Sequence, residues 1–265
     1  IPFKVETEKK IQHALRAKQN VEADTFDVKM LRMAQVSPAG DEVIYEALGS
    51  LYRRALPDGK PQRLTNSDDF ELFPEYSRDG EKLVFVRWDD QEQAQVIVRD
   101  LDSGNEQVLN TGKGNFVEPT FSPDGNHVVY RKIRGGYLIS DKYGLETGVY
   151  RVAVNGDGKP QQIAERGRQP QFGARNDRIY LMTPAAKPTL SVVSLDTLEQ
   201  RELYQSELAT EFRVSPDGKQ LAFAERFKVF VTPLVERGSV INVGPGDKQM
   251  PVYQLSVRAG ENISW

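Results

Sequence analysis

The sequence predicts an all-β fold, a β-propeller built from four-stranded blades, and three observations carry that expectation. A Ser-Pro-Asp-Gly turn recurs as Ser37-Pro38-Ala39-Gly40, Ser77-Arg78-Asp79-Gly80, Ser122-Pro123-Asp124-Gly125 and Ser215-Pro216-Asp217-Gly218, with a decayed copy at Gly173-Ala174-Arg175-Asn176. The copies begin at positions 37, 77, 122, 173 and 215, in steps of 40, 45, 51 and 42 residues. Each turn is followed by the same succession of short β-rich runs. Units of about 40–45 residues holding four strands and repeated radially are propeller blades. A β-helix would need a shorter period, and a sandwich would not repeat its turn sequence.

Each blade can be justified in order. Before each turn lies a short inner strand, as in Glu118-Pro119-Thr120-Phe121. After it comes a second strand: Val43-Ile44-Tyr45, Leu83-Val84-Phe85-Val86, Val128-Val129-Tyr130, Ile179-Tyr180-Leu181 and Leu221-Ala222-Phe223. A third follows: Leu51-Tyr52-Arg53, Val96-Ile97-Val98, Val149-Tyr150-Arg151-Val152, Leu190-Ser191-Val192-Val193 and Val229-Phe230-Val231. The fourth is shorter: Pro61-Gln62-Arg63-Leu64, Gln107-Val108-Leu109, Gln161-Gln162-Ile163 and Glu202-Leu203-Tyr204. β-branched and aromatic residues suit a pleated, half-buried surface, and Gly, Pro, Asn and Asp punctuate it. In the decayed copy Asn176 stands where Gly stood, and Asn is the usual substitute in a left-handed turn position.

Five repeats are recognisable, and a sixth is expected to be incomplete or shared by the termini. Trp265 occupies the register of Val36, Tyr76, Phe121, Phe172 and Val214, one residue before the turn serine. Val240-Ile241-Asn242-Val243 and Val252-Tyr253-Gln254-Leu255 are expected to complete the outer edge of the fifth repeat. Residues 1–27 stand outside the repeat, as a closing strand or linker, with residues 28–265 as the propeller. Within the former, Phe3-Lys4-Val5-Glu6-Thr7 alternates like a strand, and Ile11 to Lys18 reads as a short helical stretch or linker. The chain opens Ile1-Pro2-Phe3 with no initiator Met or leader, so the expectation is a processed product or a fragment of a longer protein.

Composition removes several classes of chemistry. The 35 Lys and Arg against 38 Asp and Glu give a net charge of -3, which argues against a basic nucleic-acid binder. No apolar run approaches the roughly 18–20 residues of a membrane-spanning helix. There is no cysteine, hence no disulfide, thiolate nucleophile or thiolate-bound metal. The two histidines, His13 and His127, cannot build a multi-histidine metal centre. No cofactor or metal is expected.

The blades resemble those of the TolB-like propellers. The strings Ala47-Leu48-Gly49-Ser50-Leu51-Tyr52 and Leu56-Pro57-Asp58-Gly59-Lys60-Pro61-Gln62-Arg63-Leu64-Thr65 resemble the propeller portion of large periplasmic bacterial amidohydrolase-related proteins. So do Val86-Arg87-Trp88 and the run from Glu118 to Gly125. The resemblance implies a non-catalytic scaffold in the periplasm that binds a protein partner or gates an attached hydrolase domain. The His-x-His pair that opens that family's metal-dependent barrel has no counterpart in this sequence. The alternatives are a stand-alone periplasmic protein-binding module and the gating propeller of a serine peptidase. Oligogalacturonate lyases share the propeller but hold their metal with a histidine cluster this sequence lacks.

The candidate sites divide into turns and loops. Gly40, Asp79, Gly80, Asp124, Gly125, Asp217 and Gly218 are read as structural: Asp bonds its own backbone in a tight turn and Gly supplies the positive φ. None of the turn serines sits in a Gly-x-Ser-x-Gly elbow, and no catalytic residue is assigned. Loops joining second to third strands share one face of the ring with the connections between blades. On that face residues 131–147 form a long insertion with Arg134, Tyr137 and Tyr143, and the preceding blade offers Trp88, Asp89 and Asp90. These six are the candidate binding residues, because long loops with aromatic and charged side chains on a rigid scaffold are where recognition concentrates.

Overall fold

In the computed structural model the described residues are 1–11, 24–134, 144–156, 158–183, 185–257, 260, 263 and 265. The chain divides into two units, Ile1–Met30 and Leu31–Trp265. In the first unit, residues 3–7 take no regular element despite their alternation. Phe3 and Val5 are exposed, so no neighbouring strand satisfies their backbone and the pattern has nothing to pair with. The helical stretch expected from Ile11 to Lys18 lies, apart from Ile11 itself, outside the described residues, as does His13.

The second unit is all-β among its described residues and contains five antiparallel blades. Blade 1 comprises β1 (Arg32–Val36), β2 (Glu42–Ala47), β3 (Ser50–Ala55) and β4 (Gln62–Arg63). Blade 2 comprises β5 (Phe70–Tyr76), β6 (Lys82–Asp89), β7 (Gln93–Asp100) and β8 (Glu106–Val108). Blade 3 comprises β9 (Asn115–Phe121), β10 (His127–Ile133), β11 (Gly148–Ala153) and β12 (Gln161–Ala164). Blade 4 starts with β13 (Arg168–Gln171), β14 (Arg178–Thr183), β15 (Thr189–Ser194) and β16 (Gln200–Gln205), and blade 5 with β17 (Ala209–Val214), β18 (Gln220–Glu225) and β19 (Lys228–Pro233).

The last two strands depart from expectation. β20 (Ile241–Asn242) runs parallel to β16 and becomes a fifth strand of blade 4, and only β21 (Tyr253–Gln254) completes blade 5 against β19. A short apolar run can pair with either available edge. Gln205 decides the matter here, donating from Nε2 to Asn242 Oδ1 at 2.6 Å and accepting through its carbonyl oxygen from Val243 N–H. No sixth sheet forms among the described residues.

Alternation along the strands explains why blades stack. In β6, Leu83 and Phe85 pack with Ile44, Leu51 and Leu64 of blade 1, while Val84 and Val86 pack with Phe116, Phe121 and Tyr130 of blade 3. Blades 3 and 4 meet through Val129, Val149, Phe172 and Leu181, and blades 4 and 5 through Met182, Leu190, Phe212 and Phe223. A strand whose side chains point alternately to two faces, both buried, is apolar at consecutive positions. Each such side chain contributes about 1.5–3 kcal/mol on burial.

The turns after the inner strands are built alike. Ser77, Ser122 and Ser215 donate through Oγ to Asp79, Asp124 and Asp217 at 2.5, 2.6 and 2.6 Å. Those carboxylates accept in turn from the backbone N–H of Glu81, Asn126 and Lys219. Gly40, Gly80, Gly125 and Gly218 take φ between 68° and 76°. In blade 1, where Ala39 replaces Asp, Asp41 accepts from Ser37 instead. The decayed turn differs from its expectation, since Asn176 is not among the residues at positive φ. Its side-chain oxygen accepts from Asp124 N–H of the neighbouring turn, and an Arg175–Asp177 pair replaces the Ser–Asp bond.

Candidate functional site

The five inner strands β1, β5, β9, β13 and β17 surround a cavity of about 720 Å³. Its collar is made of the residues that precede the turns, Val36, Tyr76, Phe121, Phe172 and Val214, and Trp265 joins the same wall. One residue deeper, Glu75, Thr120, Gln171 and Arg213 face one another. Adjacent residues of a strand point to opposite sides, and the collar residues Tyr76, Phe121, Phe172 and Val214 also belong to the buried core clusters.

Glu75, Thr120 and Gln171 bind one blade to the next, while Arg213 is held within its own strand. Thr120 donates from Oγ1 to Glu75 Oε1 at 2.5 Å, and Phe121 N–H donates to the same oxygen at 3.3 Å. Gln171 donates to Phe212 O at 2.8 Å and accepts from Val214 N–H at 2.7 Å. Arg213 donates from Nε to Glu211 Oε1 at 2.7 Å, and Glu211 Oε2 accepts from Ile263 N–H at 3.1 Å. Arg78, where other turns carry Pro or Ala, crosses the ring to the carbonyl oxygens of Pro216 and Gly173. Burial pushes the Glu75 carboxyl up to about 7, against the opposing effects of the Thr120 hydroxyl, Arg213, Phe121 N–H and Arg78.

A second recurrence was invisible in the sequence. Four residues before four of the five turns, Met33, Phe73, Glu118 and Gln169 adopt φ of 52–56°, and the ladder to the next strand shifts register beside each; Glu211, the equivalent in blade 5, does not take positive φ. These are β-bulges on non-glycine residues, a costly conformation that surrounding structure must hold. The holding contacts run between blades: Gln169 N–H donates to Glu118 Oε2 at 2.6 Å, and Phe73 N–H to Met33 Sδ at 3.1 Å. The four residues share no side-chain type, so no pattern announced them.

Among the described residues lining the cavity, Glu75 is the carboxylate side chain and Arg78 and Arg213 are the arginines. Among the described residues no group of three or more His, Cys, Asp and Glu is placed to hold a metal. The turn aspartates Asp79, Asp124 and Asp217 lie in separate blades, each engaged with its own turn. The Ser77 and Ser215 hydroxyls hold the Asp79 and Asp217 carboxyls below the usual range.

The loop candidates lie on the other face. Trp88 and Asp89 end β6; the Trp88 indole N–H donates to Asp90 Oδ1 at 3.2 Å, and Asp89 Oδ1 caps the turn through Gln91 and Glu92 N–H. Trp88 is directly opposite Phe70, which is 61% exposed. Arg134 follows the end of β10. Tyr137 and Tyr143 lie outside the described residues. The structure thus brings together Trp88, Asp89 and Asp90 and adds Phe70, whose place at the start of the second inner strand gave no sign of its pairing with Trp88.

Residues 29–230 match the TolB beta propeller domain. Over 130 residues the chain is 28% identical to the Tol-Pal system protein TolB of Rickettsia felis, covering 48% of this chain and 27% of the relative. The chain therefore spans about a quarter of the length of that curated relative. Among solved structures, TolB from Acinetobacter baumannii superposes with a TM-score of 0.63 at 16% identity, over 87% of this chain and 55% of that one. An oligogalacturonate lyase in complex with manganese gives 0.57 at 14% identity, over 75% and 61%. At these identities the structural matches speak for the fold alone. The repeat, the five blades and the match over residues 29–230 lead to one conclusion: the chain belongs to the TolB beta propeller domain family.

Proposed function

We propose that this chain is the non-catalytic propeller module of a periplasmic protein and holds a protein partner on the face that carries Trp88 and the 131–147 loop. The observation that carries the reading is the exposed Phe70 beside Trp88 on a scaffold whose cavity residues Glu75, Thr120 and Gln171 are spent on joining blades. Aromatic side chains presented on a rigid scaffold are the usual anchors of protein interfaces. The strings at residues 47–65 and 118–125, which resemble amidohydrolase-related proteins, favour an attached hydrolase domain as that partner. The periplasmic placement rests on the same resemblance.

A photo-crosslinking amino acid at position 70, on this face, and at position 39, on the turn face, tests the reading in cells carrying the native gene. The expected result is one protein, or one domain of the same longer protein, captured from position 70 and lost when Trp88→Ala is introduced. Capture from position 39 alone overturns the reading. Metal-dependent hydrolysis by the purified chain overturns its non-catalytic part.

A further inference from the structure

The patch around Trp88 has a chemistry of its own. Phe70 and Trp88 are cross-strand partners, and Phe70 packs over Gly49, where a Cβ would stand 2.5 Å from Phe70 Cδ1. The adjoining Leu48 is 65% exposed. Leu48 and Phe70 are thus exposed at the seam between blades 1 and 2, and Trp88, half-buried against the core between blades 2 and 3, continues the apolar surface as a strip across the end of blade 2. Carboxylates border it at both ends: Asp68 and Asp69 precede Phe70, while Asp89, Asp90 and Glu92 follow Trp88.

Three cations near this border are engaged elsewhere or only loosely with it. Arg63 donates to Ser67 O, and Lys113 donates to Gln91 O and stands 3.7 Å from Glu92. Arg87, on the opposite face of β6 from Trp88, is engaged with Glu71 and Glu106. Asp68 has no hydrogen-bond or ionic partner among the described residues, and Asp90 accepts only from the Trp88 indole. Among the described residues bordering the strip, five carboxylates outnumber Arg63 and Lys113 with Lys132 and Arg134 at the end of β10, beside the exposed Phe70 and the half-buried Trp88.

Resting on the interaction-module reading, we infer that this strip takes an extended protein segment in which Arg or Lys alternates with an apolar residue. The apolar side chain covers Leu48 and Phe70. A guanidinium or ammonium lies over the Trp88 ring, where a cation–π contact adds to the attraction of Asp68, Asp90 and Glu92. An acidic or uncharged segment of equal apolarity gains only the first of these contacts.

The test uses the full chain labelled with ¹⁵N and two ten-residue peptides, one carrying Arg-Leu-Arg-Leu-Arg between Gly-Ser flanks and the other Glu-Leu-Glu-Leu-Glu. Trp88 and Trp265 give separate indole N–H signals, assigned with Trp88→Phe. The Arg peptide is expected to shift the Trp88 signal saturably while leaving Trp265 in place. Its affinity should fall at least about fivefold in the triple variant Asp68→Asn, Asp90→Asn, Glu92→Gln, and about tenfold between low and ~0.5 M salt. The triple variant Asp58→Asn, Glu81→Gln, Asp102→Asn removes the same charge from the opposite face and should bind as the wild type does.

Equal binding of the Glu peptide, an unmoved Trp88 signal, or equal weakening by the two triple variants overturns the inference. A Trp88 shift that depends on protein concentration without peptide overturns it in favour of a second copy of the chain. Crosslinking from position 70 together with failure of the Arg peptide rejects this chemistry and leaves the interaction face. Failure of both removes the face as well.

Discussion

Arg78 of blade 2 donates from Nη1 to the carbonyl oxygen of Pro216 in blade 5 at 3.1 Å, across 138 residues of sequence. Its other terminal nitrogen reaches Gly173 O of blade 4. One side chain therefore ties three blades together at the turn end of the cavity. Burial lowers the affinity of this guanidinium for its proton, and Glu75 below it offsets part of that cost.

Replacing Arg78 separates this role from that of the turn. Pro occupies the same position in three other turns, so Arg78→Pro preserves local geometry while removing the cross-ring bonds. Charge-assisted hydrogen bonds are worth about 1.5–3 kcal/mol when buried, and the exposure of Arg78 reduces this to about 1–2 kcal/mol. Urea unfolding should show Arg78→Pro and Arg78→Ala losing similar stability. Stability unchanged in Arg78→Pro would deny the cross-ring tie.

Glu75 makes stability depend on pH with a definite sign. Its carboxyl is raised from the ordinary 4.5 to about 7 in the folded chain, so between those values the folded state binds more protons than the unfolded state. The contribution is fully present below about 4.5 and is lost as pH rises through 7. Glu75→Gln stays neutral throughout. The stability of this variant relative to wild type should therefore rise from pH 4.5 to 7.5 and level off beyond it, as measured by urea unfolding at each pH. A difference that grows toward acid would reverse the assignment.

The parts of this molecule that could be read from sequence are those whose causes are local. Ser122, Asp124 and Gly125 announce a turn because their bonds close within six residues, and Leu83 to Val86 announce a doubly buried strand by their own alternation. Glu75 and Arg78 could not be read this way, because their partners lie 45 to 138 residues away. The bulges at Met33, Phe73, Glu118 and Gln169 escaped because the position is held by inter-blade bonds rather than by residue type. Ile241 was placed in the wrong blade because a two-residue strand carries too little pattern to choose its edge. Trp88 could be singled out from its loop, but Phe70 could be joined to it only once the register of β5 and β6 was known.

Glu71 should be the most damaging single polar residue to truncate. It is fully buried on β5, accepts from Leu51 N–H of blade 1 at 3.2 Å and from the Thr65 hydroxyl at 2.5 Å, and pairs with Arg87 at 3.0 Å. Glu71→Ala leaves Arg87 without one of its two carboxylates and the Leu51 N–H without its acceptor. Breaking a buried pair costs about 3–5 kcal/mol, and the remaining Glu106 contact places the expected loss at the lower end. The shift of the urea midpoint measures it, and a loss below ~1 kcal/mol would mean that water replaces the carboxylate.

Gly49→Ala tests the seam between blades 1 and 2 from the other side. Gly49 sits at φ 85° and its backbone oxygen accepts from Glu71 N–H, so a side chain there meets two separate penalties. The left-handed conformation costs an alanine about 1–2 kcal/mol, and the new Cβ collides with the Phe70 ring. Phe70→Ala removes the collision but leaves the backbone penalty. In a double-mutant cycle followed by urea unfolding, Gly49→Ala should therefore cost less in the Phe70→Ala background than in wild type, with a residual loss of about 1 kcal/mol or more. Equal costs in both backgrounds would show that Phe70 is free to swing away from the turn. The contact between the two residues would then not hold the aromatic pair in place.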